Sequence, residues 1–307
     1  MASVHVCVLA LLAGVAAGVD VGVDVGGPSV LLLSCLGILV FGLPHGALDI
    51  ALLRHSRARA DLGVATLLAI YIVVGAAVAI LWWLAPVVAL AAFLAVAVVH
   101  FAEDWPETDS RFFGSGLALG IVFAPALLHR AEVAKIFVAM TGAPHAASLA
   151  DIMLLAAPLG CVVGLAGIAA LVAARRFDRA AAAATSLAAM IALPPVLGFA
   201  IYFGLFHSPR HLRHVLYDLG MPRLRQWLPR ALPALLGAGA LVVLLYRVRV
   251  SLVSGAAGVG SATFMALAIL TVPHMVVPRL VAALPRWRSA LGSPNLPSSR
   301  RVSATVV

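Results

Sequence analysis

Apolar runs of membrane length, separated by short polar or proline-glycine breaks, fill this chain almost from end to end. Residues 1–19 are apolar with no basic stretch before them, which predicts a first, short span rather than a cleaved leader. After Asp20, Asp24 and the Gly26-Gly27-Pro28 turn, further runs cover 29–53, 63–84, 87–101, 112–128, 149–174, 231–246 and 254–277. Residues 129–147 mix polar and apolar positions between glycines and prolines, the pattern of an interfacial helix. The run 180–206 is broken by Pro194-Pro195, and a double proline removes backbone donors and clashes with the preceding turn. Read straight, this run carries His207 to the far side of the bilayer. Read as a hairpin, it returns His207 to the side of His45 and His100, which the basic residues beyond it favour. The fold class expected is all-α, a polytopic transmembrane helical bundle of about eight or nine spans. Residues 1–284 form one integral membrane domain, and residues 285–307 a basic, Ser/Pro-rich, disordered tail.

Composition sharpens this picture. Hydrophobic residues make up 63% of the 307 positions and charged ones 11%, and the mean hydropathy is +1.09. A soluble protein of this size cannot hide that much apolar surface. The net charge of +9 comes from arginines in the loops, such as Arg54, Arg57, Arg59, Arg175, Arg176 and Arg179. Such clusters mark cytoplasmic ends and predict a multi-pass protein of the inner (plasma) membrane. No polar basic face with interleaved aromatics exists, so nucleic acid is excluded as a partner. Cys7, Cys35 and Cys161 are isolated in apolar runs, without a CxxC pair, and read as packing residues.

Chemistry concentrates at 207–214, where three imidazoles and two guanidinium groups follow an apolar run. Polar rings at membrane depth are costly unless they hold something, and imidazoles most often hold a metal. His207 and His211, at i and i+4, share a helix face, provided Pro209 lies near a helix start with Ser208 as its cap. Arg210, Arg213 and His214 fit lipid phosphates as well as a site. His45 precedes Asp49 by four residues, and His100 precedes Glu103 and Asp104 by three and four. A carboxylate one turn away can orient an imidazole through its second N–H or ligate the metal itself. Counted from their span starts, His45 and His100 both lie ~20–25 Å along, so the two can share a depth. His274, after Pro273, reads as a further ligand, a supporting donor or a satisfied helix histidine. Neutral imidazoles with open positions suit Fe(II) better than structural zinc, which prefers closed sites with thiolates. Phe101, Trp105, Tyr202, Phe203 and Phe206 are candidates to line a tunnel for a long apolar substrate.

The segments Pro44–Asp49 (PHGALD), His100–Trp105 (HFAEDW), His207–His211 (HSPRH) and Pro273-His274 resemble, in order and spacing, the bacterial Brp/Blh-type β-carotene 15,15′-dioxygenase family. Ala102 stands where that family has glycine. The resemblance implies that His45, His100, His207 and His211 bind Fe(2+), with Asp49 and Arg210 in support; by position, Glu103 and His274 are further supporting candidates. It also implies that β-carotene is split by O₂ at its central double bond into two retinal molecules. Partners then are β-carotene, O₂, membrane lipid and a retinal-binding opsin that takes the product. Competing readings are a di-iron membrane hydroxylase or desaturase, which needs about eight clustered histidines, and a haem carrier or retinal-protein assembly factor. A metalloprotease is excluded, because no H-E-x-x-H occurs.

Overall fold

Prolines and glycines set where the helices begin and end. The computed structural model describes residues 24–55, 63–249 and 253–291, and for His45 and residues 282–291 the backbone alone. The expected first span, Arg57, Arg59 and the tail beyond residue 291 lie outside these residues. No strand occurs among the described residues. Helix α1 (Pro28–Gly37) starts at a proline, where the missing N–H costs nothing. It runs into a π turn (Ile38–Gly42) and a 3₁₀ turn (Leu43–Leu48) that carries His45. Helix α2 (Asp49–His55) follows. Helix α3 (Val64–Leu84) and helix α4 (Pro86–Ala102) are separated by Ala85 and the N-terminal proline of α4.

Helix α5 (Arg111–Phe123) is capped by Ser110, whose Oγ accepts from the Phe113 amide at 3.5 Å. It meets α6 (Pro125–Thr141) at a bend of 48°. Gly142 ends α6 at a φ of 73°, the left-handed conformation that glycine adopts without strain. Residues 129–147, expected at the interface, therefore form the second limb of a bent pair and the turn after it. Helix α7 (Ser148–Ala173) is long and crosses α5 at small residues. A side-chain carbon on Gly160 would stand 2.6 Å from the Gly120 nitrogen, so the two backbones touch.

Helices α8 (Phe177–Ala192) and α9 (Pro195–Ile201) turn at Pro194-Pro195 and pack on one another. A Cβ on Gly198 would lie 2.8 Å from the Ala189 carbonyl. The double proline is thus a break, not part of a straight span. A second π turn (Tyr202–His207) leads into α10 (Ser208–Asp218). Pro209 sits in the first turn of α10. Ser208 does not cap it; its hydroxyl donates to the carbonyls of Phe41 and Gly42 at 2.7 and 2.9 Å. A π turn misaligns carbonyls from the helical ladder, and here one hydroxyl satisfies two of them while tying the two π turns together. Helices α11 (Leu224–Arg249) and α12 (Gly255–Leu291) pack side by side and close the bundle.

Among the described residues, five helical stretches are long and apolar enough to cross a membrane, or six if the α5–α6 pair counts as one. The higher number expected includes the first run, outside the described residues, and runs that the structure bends or shortens: α4 has 17 residues, and 180–206 is divided. Large apolar side chains face outward, with Leu155 81% and Trp83 80% exposed. In water that surface would be unstable; against lipid tails it is not. The chain is a membrane protein.

Candidate metal centre

Four histidines from distant segments meet inside the bundle. His100 lies in the last turn of α4, His207 ends the second π turn, His211 lies one turn into α10, and His274 lies within α12. The His100 and His207 ring centroids are 4.7 Å apart at 76°. His274 stands 5.2 Å from His100 at 83° and 5.2 Å from His211 at 75°. Three of the four expected metal ligands, His100, His207 and His211, are therefore together, and His274 joins them. The side chain of His45 lies outside the description. Its backbone neighbour Gly46 faces the cluster: a Cβ there would be 3.4 Å from His274 Nδ1.

Asp104 and Glu103 serve other groups than their spacing implied. Asp49 accepts from His274 Nδ1 at 2.6 Å and from the Tyr71 hydroxyl of α3; its expected pairing with His45 involves a side chain outside the described ones. Asp104 Oδ2 accepts from His207 Nδ1 at 2.8 Å and from the Tyr202 hydroxyl at 2.6 Å, not from His100. Glu103 reaches His100 only at 4.0 Å and pairs with Arg279 of α12. Arg210 donates to the Asp104 main-chain carbonyl, and to Glu107 at 2.7 Å. Arg179 also binds Glu107, at 3.1 Å. By contrast, among the described residues Arg213 and His214 bond to carbonyls of their own helix. Tyr71 escaped the sequence reading, although a hydroxyl in an apolar span is itself a signal.

Two of these groups lie outside the spans, and their protonation follows from their surroundings. Burial pushes the Asp104 carboxyl up, but His207, Tyr202 and Arg210 outweigh it and hold the group below the usual carboxylate range. Burial drives the His211 imidazole down to about 4, with His274 and His207 acting in the same direction. Such a ring is neutral at physiological pH, the form that binds metals.

The donor chemistry fits a metal. An imidazole that gives Nδ1–H to a buried carboxylate carries its lone pair on Nε2 and is held in one orientation, the arrangement that supports ligating histidines. Among the described residues, from which the His45 side chain is missing, no group of three or more histidine, cysteine or acidic side chains is placed to hold a metal ion.

Apolar space flanks the rings on two sides. One cavity of about 100 Å³ is lined by His100, Phe101, Phe199, Phe203, Leu267 and Thr271 among others. A second, of about 130 Å³, is lined by Gly46, Asp49, Tyr71, His274 and again Phe203, Leu267 and Thr271. The three shared residues form the partition between the cavities. Phe203 also stacks on His207, with centroids 5.2 Å apart and planes 13° apart. Of the five expected tunnel residues, Phe101 and Phe203 are at this apolar space. Trp105, Tyr202 and Phe206 line a different cleft, together with Asp104, Arg179 and Arg210.

A sequence model of the family described as Beta-carotene 15,15'-dioxygenase matches residues 36–282. The chain is 28% identical over 260 residues to the Beta-carotene 15,15'-dioxygenase of Uncultured marine bacterium 66A03, covering 79% of this chain and 90% of that one. It is 29% identical over 285 residues to the Probable beta-carotene 15,15'-dioxygenase Blh of Halobacterium salinarum, covering 78% and 80%. No solved structure matches it.

Proposed function

The chain belongs to the beta-carotene 15,15'-dioxygenase family, and on that premise we propose that it cleaves β-carotene at the central double bond with O₂, giving two molecules of all-trans-retinal. The reaction takes place at an iron(II) held by His45, His100, His207 and His211, in a multi-pass protein of the inner membrane. The observation that carries this reading is the meeting of imidazoles from α4, the second π turn and α10 beside two apolar cavities that share one partition.

Bound there, iron(II) supplies open coordination positions and the redox capacity that O₂ chemistry requires. The chain supplies orientation and dryness. Asp104 holds the His207 ring by its Nδ1–H, and Arg210 fixes the turn that carries Asp104. The cavities are lined mostly by apolar side chains, with polar groups such as Asp49, Tyr71, Thr271 and the histidines among them. The bond that is cut is then set by how deep each half of the polyene reaches beyond the histidines. Both cavities are smaller than a forty-carbon polyene, so the partition must move to admit it, and Phe203 is the residue that touches both cavities and a proposed ligand. Substrate enters from the lipid, and retinal leaves toward a retinal-binding opsin.

A bis-histidine haem is disfavoured by the ring spacing. With metal–nitrogen bonds of about 2 Å, axial imidazoles on opposite faces of a porphyrin have centroids about 6 Å apart. The pairs His100–His207, His100–His274 and His211–His274 stand 4.7–5.2 Å apart and nearly perpendicular, closer than such an axial pair.

Expression in bacteria that make β-carotene tests the activity. Orange colour should be lost and retinal should accumulate, and His207→Ala should abolish both effects. Unchanged colour with well-expressed wild-type protein would refute the activity, and undiminished bleaching by His207→Ala would refute the ligand set.

A further inference from the structure

One side-chain array occurs twice around the histidine cluster. In the first, the Tyr202 hydroxyl donates to Asp104 Oδ2 at 2.6 Å, and His207 Nδ1 reaches the same oxygen at 2.8 Å. In the second, the Tyr71 hydroxyl donates to Asp49 Oδ2, and His274 Nδ1 reaches that oxygen at 2.6 Å. Tyr202 and His207 share the second π turn, whereas Tyr71, Asp49 and His274 come from α3, α2 and α12. No local spacing common to the two arrays imposes the likeness. Both aspartates are buried, 3% and 8% exposed. In each array a tyrosine pins the carboxylate against rotation, and the carboxylate fixes its imidazole as a donor at Nδ1.

Ring positions extend the parallel. With a metal–nitrogen bond of about 2.1 Å and a nitrogen about 1.1 Å from its ring centroid, two imidazoles ~90–110° apart on one ion have centroids about 4.5–5.2 Å apart. The His207–His100 spacing of 4.7 Å falls in this range. The His274–His100 and His274–His211 spacings, both 5.2 Å, lie at its upper edge. His274 is the ring that touches both His100 and His211.

We propose that His274 is a further ligand of the iron, on a par with His207, each ring being set by its own tyrosine–aspartate pair. The proposal rests on the iron reading above. With His45, five imidazoles leave one of six octahedral positions open. Tyr71 and Tyr202 are positioning residues with matching tasks.

The test uses the full-length protein in detergent, loaded with Fe(II) without oxygen. Iron affinity is measured by chelator competition, and coordinated histidine nitrogens are counted by pulsed electron paramagnetic resonance on the nitric oxide adduct. Tyr71→Phe and Tyr202→Phe each remove one oxygen atom and keep the ring. Both should weaken iron binding by about 10–100-fold, the usual effect of losing such support. His274→Gln should remove one histidine coupling from the spectrum. The proposal fails if Tyr71→Phe keeps iron affinity within about twofold of wild type while Tyr202→Phe weakens it, or if His274→Gln retains the full histidine count. Should His274→Gln fail to fold, the comparison of the two tyrosine variants still decides. A folded wild-type protein that takes up no iron overturns the parent reading and this proposal with it.

Discussion

His211 shows how burial tunes a single ring. Its imidazole protonates at about 4 when folded and near 6.5 when free. Between those values the unfolded chain binds more protons, so the metal-free protein loses stability as pH falls from about 6.5 toward 4, and the contribution is fully present above 6.5. Asp104 is depressed, so its contribution is present above its unfolded value of 3.8 and is lost as pH falls below that. Thermal unfolding of metal-free protein in detergent should therefore show a midpoint that drops between pH 6.5 and 4. His211→Gln should flatten the upper part of that drop; an equal drop in the variant would show that other groups carry it. At this scale, histidines at the ends of apolar runs marked the site, because a ring at that depth stands out against its neighbours. Their carboxylate partners were not legible. Helical spacing pairs Asp104 with His100, whereas its partner His207 lies 103 residues away, and the His274 ring that Asp49 holds lies 225 residues away from it.

Between residue and fold, the π turns and glycine contacts decide the geometry. The π turn Ile38–Gly42 precedes His45, the turn Tyr202–His207 ends on His207, and Ser208 ties them together. Such turns leave no mark in the hydropathy pattern, which explains why Ser208 read as a cap. Pro194-Pro195 was legible as an interruption, but the hairpin itself depends on Gly198 meeting Ala189. A methyl group on Gly42 would overlap the Phe203 ring. Gly42→Ala should displace that ring and lower carotene cleavage by roughly a hundredfold, as a misplacement of about 1 Å can, while iron content stays at the wild-type level. Cleavage assays paired with metal analysis check this, and full activity in the variant would mean that the partition does not govern substrate entry. At the α5–α7 crossing, Gly160→Val should cost at least ~1–3 kcal/mol by overpacking, seen as a lower unfolding midpoint in detergent. An unchanged midpoint would mean that the two backbones separate freely.

Over the whole molecule, composition and the recurring apolar runs pointed to a helical membrane protein, and the described residues hold helices and no strand. How often the chain crosses was less legible, because bent and proline-broken segments such as α5–α6 and α8–α9 have the hydropathy of spans without their straight length. The architecture serves to bring α4, the second π turn, α10 and α12 to one place, and the account depends on those histidines sharing one ion with His45. Metal analysis of purified full-length protein tests this most directly. Wild-type protein should hold one iron per chain and His207→Ala almost none. Two irons per chain, a haem, or iron retained in full by His207→Ala would contradict a single shared ion.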